Sequence, residues 1–162
     1  AGRRERGCCR GEGDGRAVRR HGRALAEWGA EFRRELCYVG HQDAVQGELT
    51  AVENLRHYAG LLGLAVSVQH VAGVLTAMEL DAADLPAKFL SQGQRRRVAL
   101  ARLLLAPRAL WILDEPLTSL DVDSVATVSA LIAEHARKGG MVALTSHQDI
   151  RTDGARALTL AA

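Results

Sequence analysis

Five uncharged residues, Ala109-Leu110-Trp111-Ile112-Leu113, run directly into two acids and a proline, Asp114-Glu115-Pro116. A short apolar run without alternation reads as a strand buried on both faces, as in a parallel sheet. A helical pattern follows from about Asp121 to Lys138. Gly139-Gly140 interrupts it, and a second buried strand is expected over Met141 to Thr145, with His147 just beyond. Strand, helix and strand in that order predict a right-handed parallel crossover and an α/β fold. Open sheets of this kind collect their ligands at the carboxyl ends of the strands, where Asp114, Glu115 and His147 fall.

The earlier part of the chain is mostly helical in pattern. Glu31 to Glu35 suits a short helix, Leu36-Cys37-Tyr38-Val39 is a β-prone run, and Gly40 ends it. Thr50 and Glu53 have the spacing of a capping box, and Val52, Leu55, Ala59 and Leu62 recur at helical spacing after it. A second helix is expected from Val68 to Leu80. Ser91 opens a third, with Val98, Leu100, Ala101, Leu104 and Leu105 on its apolar side and Pro107 closing it. The stretch Ala59 to Met78 has no Asp, Glu, Lys or Arg, but its serine, threonine, histidine and glycines make it too polar and too broken for a membrane span. It reads as two helices joined by a turn at Gly63.

Composition excludes several classes. With 48% hydrophobic and 25% charged residues, the 162-residue chain is neither disordered overall nor fibrous. Its three cysteines, Cys8, Cys9 and Cys37, make no disulfide framework and no zinc site, and suit a reducing compartment. Lys and Arg number 21 against 19 acids, too balanced to argue for nucleic acid. The excess is local, because residues 1–24 hold eight arginines and six glycines against three acids. That head has no periodicity and few apolar side chains, so it is expected to be disordered. It reads either as an RNA-binding or anionic-surface arm, weakened by its acids and its lack of aromatics, or as a translation or gene-model artefact, which is preferred.

The chemistry concentrates in Leu90-Ser91-Gln92-Gly93-Gln94-Arg95 and in the segments after it. Ser91 and Gly93 stand at a helix N-terminus, where free N–H groups favour an anion and a glycine lets it come close. Asp114, at the end of a buried strand, is placed to hold Mg²⁺ through water, and Glu115 to act as general base on an attacking water. His147 can hydrogen-bond a phosphate oxygen or orient that water. Arg95, Arg96 and Arg97 read as a solvated face or a subunit contact. His41, His57, His70 and His135 have no metal-ligand spacing with the cysteines.

These segments resemble the ATP-binding-cassette (ABC) transporter ATPases. L-S-Q-G-Q is similar to the signature motif, W-I-L-D-E-P to Walker B with the catalytic glutamate, S-L-D to the D-loop and T-S-H to the switch-histidine region. Y-V-G-H-Q resembles the Q-loop, with Gln42 at its glutamine. Y-V-G-H-Q leading to G-E-L-T-A-V-E-N-L, with R-R-V-A-L-A-R-L and G-G-M-V-A-L-T-S-H-Q, is most similar to ATP-binding subunits of the haem exporters of cytochrome c-type biogenesis.

The resemblance covers about Leu25 to Ala162. It implies a partial P-loop NTPase: a parallel sheet flanked by helices, with a helical subdomain, about residues 48–95, carrying the signature. It also implies ATP and Mg²⁺ as cofactors, with Asp114 on the metal, Glu115 and His147 catalytic, Gln42 in the Q-loop and Asp121 in the D-loop. Ser91, Gln92, Gly93 and Gln94 would face the nucleotide of a second subunit in a head-to-tail dimer. The implied setting is peripheral, on the cytoplasmic face of the inner (plasma) membrane, bound to the exporter's integral membrane subunits and to no nucleic acid.

The family's Walker A motif, G-x-x-x-x-G-K followed by Ser or Thr, is missing. The two lysines, Lys88 and Lys138, follow no glycine loop. The expectation is therefore a truncated or frame-shifted cassette, inactive alone, with residues 1–24 an artefactual head and 25–162 an incomplete ATP-binding domain. Two other readings stand beside it: the ATPase of another ABC transporter, and a degenerate, non-catalytic cassette-like interaction protein.

Overall fold

Thr50, Ser67, Ser91 and Asp121 each accept a hydrogen bond from the backbone three residues on, and each begins a helix. The structure, a computed structural model, describes residues 34–147 continuously, with residues 19, 20, 23, 24 and 29 before them. Two compact units are present, Ala1–Leu36 and Cys37–Ala162. In the first, β1 (Arg19–Arg20) and β2 (Arg23–Ala24) form a two-residue antiparallel ladder. The rest of the expected disordered head lies outside the described residues, as does most of the helix expected over Glu31 to Glu35.

β3 (Leu36–Val39) lies beside β4 (Leu110–Asp114), which pairs with β5 (Met141–Thr145), so the sheet order is β3-β4-β5. β4 and β5 are parallel, with Trp111 beside Val142, Leu113 beside Leu144 and Asp114 beside Thr145. The helices are α1 (Ala51–Leu61), α2 (Val68–Ala77), α3 (Gln92–Leu105) and α4 (Val122–Arg137). α1, α2 and α3 pack on one another, and α4 packs on β5. Leu55, Val71, Leu75, Val98, Leu100, Leu113 and Val128 are among the side chains of a buried cluster.

The turns follow from local chemistry. Beyond α1, Gly63 is left-handed (φ +68°) and its N–H bonds the Gly60 carbonyl, while Leu64 N–H bonds the Ala59 carbonyl. That is a Schellman end, and it breaks the uncharged stretch where the glycine predicted. α2 stops at Ala77, short of the expected Leu80, because Glu79 takes the left-handed position (φ +54°) and Leu80 N–H returns to the Leu75 carbonyl. No helix among the described residues is long and apolar enough to cross a membrane. Buried Asn54 shapes the loop before α1, donating to the carbonyls of Gln46, Leu49 and Thr50 and accepting from Gln46 N–H at 2.7 Å.

The strands correct one expectation. Neither is buried on both faces: Trp111 and Leu113 are buried while Leu110, Ile112 and Asp114 are half-buried, and Ala143 and Thr145 of β5 are exposed. Val142 and Leu144 pack into the core from the face they share with Trp111 and Leu113. The apolar run reflects one well-covered face and one lightly covered face, which a strand of five residues does not distinguish.

Candidate functional site

The parallel register carries Asp114 and Thr145 to the same end of the sheet, and the Thr145 hydroxyl donates to Asp114 Oδ1 at 2.7 Å. The chain then turns through Glu115, which adopts a left-handed backbone (φ +49°) unusual for a side chain of its size. Glu115 N–H reaches both the Thr145 hydroxyl (3.1 Å) and its carbonyl (3.2 Å). The Glu115 carboxylate lies 3.5 Å from His147 Nε2 and accepts from His147 N–H at 3.4 Å. Asp114, Glu115 and His147 thus form one group at the carboxyl ends of two neighbouring strands, with Thr145 tying them together. The imidazole is 95% exposed and the Glu115 side chain 19%.

Gln42 is exposed and lines the same cleft as Asp114, together with Gly40, His41 and Arg102. Burial pushes the Cys37 thiol up. Burial beside Cys37 raises the neighbouring Tyr58 phenol to about 12. Arg102 stacks over the Tyr58 ring at 4.9 Å.

Ser91 and Gln94 cap α3. Ser91 Oγ accepts from Gln94 N–H (3.1 Å), and Gln94 Oε1 accepts from Ser91 N–H (2.8 Å), a full capping box. The Ser91 hydroxyl keeps its own proton to donate, and Ser91 and Gln92 are exposed. Gly93 has a reason the sequence did not supply. A Cβ there would stand 2.7 Å from the Ser119 carbonyl oxygen, so the glycine admits the loop after β4, where Ser119 is itself left-handed (φ +67°). Asp121 caps α4, accepting from Ser124 N–H at 2.8 Å, and hydrogen bonding first by the Ser124 side chain and then by its backbone holds the Asp121 carboxyl below the usual range.

Arg96 overturns the reading of Arg95 to Arg97 as a solvated face. It is 3% exposed and bonds Gly40, Asp43, Asp114, Glu115 and Pro116. Arg95 and Arg97 also turn back, to the carbonyls of Leu90 and of Met78 and Glu79. The signal was helical spacing: Arg96, Ala99, Leu100 and Leu103 are one buried stripe. Thr145 was missed as well, since only the β4–β5 register sets it opposite Asp114.

Among the described residues no three acids, histidines or cysteines form a metal cluster. Asp114 keeps one carboxylate oxygen that Thr145 does not engage. This suits a cation held by one carboxylate, waters and a ligand's phosphates, the usual arrangement for Mg²⁺, and does not suit an all-protein metal cage.

A family model described as ABC transporter matches residues 12–118. The chain belongs to this family. The match takes in residues 12 to 24, part of the stretch set apart above as a head, so it begins before Leu25. The chain is 45% identical over 139 residues to the cytochrome c biogenesis ATP-binding export protein CcmA of Nitrosospira multiformis, covering 85% of this chain and 68% of that protein. Against CcmA of Vibrio vulnificus the identity is 43% over 144 residues, covering 88% and 70%. Against CcmA of Vibrio parahaemolyticus it is 48% over 123 residues, covering 75% and 60%.

Among solved structures, a dimeric ATP-binding cassette in a post-hydrolysis state, bound to ADP and Pi, superposes with a TM-score of 0.65 at 24% identity. That match covers 80% of this chain and 60% of that one. An ATP-binding subunit of an ABC transporter gives 0.65 at 26% identity, covering 81% and 56%. The chain is an ABC ATP-binding protein similar to CcmA, with the α/β cassette fold.

Proposed function

We propose that this chain is part of the ATP-hydrolysing subunit of an ABC exporter serving cytochrome c-type biogenesis, with haem as cargo. The observation that carries the reading is the Asp114, Thr145, Glu115 and His147 group at the carboxyl ends of β4 and β5, supported by the CcmA relatives. When bound with ATP, Mg²⁺ would neutralise phosphate charge at Asp114. Glu115 accepts the proton of the attacking water, and His147, within reach of its carboxylate, orients it. Gln42 borders the same cleft and links it to the surface where integral membrane subunits dock. Ser91, Gln92, Gly93 and Gln94 face the nucleotide of a second cassette in a head-to-tail dimer, where the α3 N-terminus favours the phosphate. Asp121 belongs to the loop between them. The assembly lies on the cytoplasmic face of the inner membrane.

The 162 residues contain no G-x-x-x-x-G-K-S/T motif, so the chain does not hydrolyse ATP alone and acts through a partner bearing a P-loop. The test is phosphate release from Mg-ATP by the purified chain, alone and co-expressed with the membrane subunits and an intact cassette subunit of a cytochrome c exporter. Co-purification with them and no release alone are expected. Turnover by the isolated chain overturns the inactive reading, and failure to co-purify overturns the assignment to this exporter.

A further inference from the structure

Arg96 is the one buried cationic side chain among the described residues, and all five of its N–H donors are used. Nε donates to the Pro116 carbonyl at 3.3 Å. One terminal nitrogen donates to the Gly40 carbonyl (2.7 Å) and to Asp43 Oδ1 (3.1 Å). The other donates to the carbonyls of Asp114 and Glu115, both at 2.8 Å. A single planar group thus holds two loops that leave different strands. One contains Gln42, between Gly40 and Asp43; the other is the turn at Glu115.

The second loop needs such a group. Three successive carbonyls, of Asp114, Glu115 and Pro116, converge on one point, and their negative ends repel one another unless a cation sits among them. The left-handed Glu115 backbone adds strain, which surrounding bonds must hold. Lysine has three donors and no planar fork, so it cannot make all five of these bonds. The charge is balanced from the first loop, because Asp43 is its carboxylate partner.

We propose that Arg96 is a positioning residue that makes the Gln42 loop and the Glu115 turn move as one body, so that a displacement of either is imposed on the other. The choice of Gln42 and Glu115 as the residues that matter rests on the function proposed above; the mechanical link does not. If it holds, a disturbance made only at Asp43 is felt at Glu115, which Asp43 does not touch.

Amide hydrogen exchange on the full chain tests this without nucleotide. In Asp43→Ala, the Glu115 amide, which bonds the Thr145 carbonyl, and the Thr118 amide, which bonds the Glu115 carbonyl, should exchange about tenfold faster. Amides within α1 and α4 should stay within about twofold of the parent chain. Arg96→Lys should accelerate residues 40–46 and 115–118 together. Acceleration in Asp43→Ala confined to residues 40–46, or spread evenly through α1 and α4, overturns the link, since a merely structural arginine gives one of those patterns. Because exchange is read rather than turnover, a chain without ATPase activity can still pass, and an active one can still fail.

Discussion

The Thr145 hydroxyl bridges two neighbours at the end of β4, donating to the Asp114 carboxylate at 2.7 Å and accepting from Glu115 N–H at 3.1 Å. Both bonds exist because the parallel register sets Asp114 and Thr145 side by side. Thr145→Val keeps shape and β preference but removes both bonds. As Thr145 is exposed, the loss should be modest, about 1 kcal/mol by urea denaturation, with Thr145→Ser close to the parent chain. An unchanged Thr145→Val midpoint would show that the bridge contributes nothing.

Two glycines in helices should respond in opposite directions. At Gly73, within α2, an added Cβ meets nothing within 4 Å, so Gly73→Ala should stabilise by about 0.5–1 kcal/mol through the unfolded chain's lost freedom. At Gly93 the same methyl meets the Ser119 carbonyl at 2.7 Å, a backbone atom that cannot rotate away. Gly93→Ala should destabilise by about 1–3 kcal/mol, offset in part by the same helix gain. Thermal denaturation of the pair decides it; a stabilised Gly93→Ala would mean that the loop after β4 yields freely.

Acid should remove stability in two stages. His135 lies flat on Trp111, ring centroids 3.8 Å apart, and burial lowers its pKa below the ordinary 6.5. The unfolded chain therefore takes up this proton first, and stability present above pH 6.5 is lost as the pH falls below it. Glu134 is held down to about 2 by Arg137 and Lys138, so its contribution is present above the ordinary 4.5 and is lost as the pH falls from there towards 2. The Glu134 pairs are solvent-exposed, so high salt should shrink the second stage and leave the first. Urea midpoints against pH at low and high salt read both. Stability that stays level until the carboxylate range would exclude the His135 stage.

Cys37 is 2% exposed, and its thiol is pushed up by burial. In a chain with Cys8→Ser and Cys9→Ser, leaving Cys37 as the sole thiol, a thiol reagent should react only as denaturant unfolds the second unit. Rapid labelling in native buffer would show that β3 opens on its own.

Most of the scaffold was legible because its signals are local. Capping pairs three residues apart, a glycine after α1, and two short apolar runs around a helical pattern each fix an element from its immediate neighbours. The acids and His147 were also legible, since strand ends in a parallel crossover lie together. What escaped depends on distant partners. Arg96 looks like its neighbours in a basic triplet, and only the burial of its helical stripe separates it. Gly93 looked like an opening for an anion, yet the atom that needs the space is a carbonyl 26 positions along the chain. Continuous apolarity in β4 and β5 could not reveal that one face is lightly covered.

β5 is last in the order β3-β4-β5, so among the described residues its outer edge pairs with no other strand. Met141-Val142-Ala143-Leu144-Thr145 carries no charge and no proline, and it exposes Ala143 and Thr145. Such an edge is a template for any extended chain, including a second copy of itself. Wherever that edge stays open in concentrated solution, fibrous self-association competes with folding. A lysine at Ala143 should prolong the time before turbidity appears.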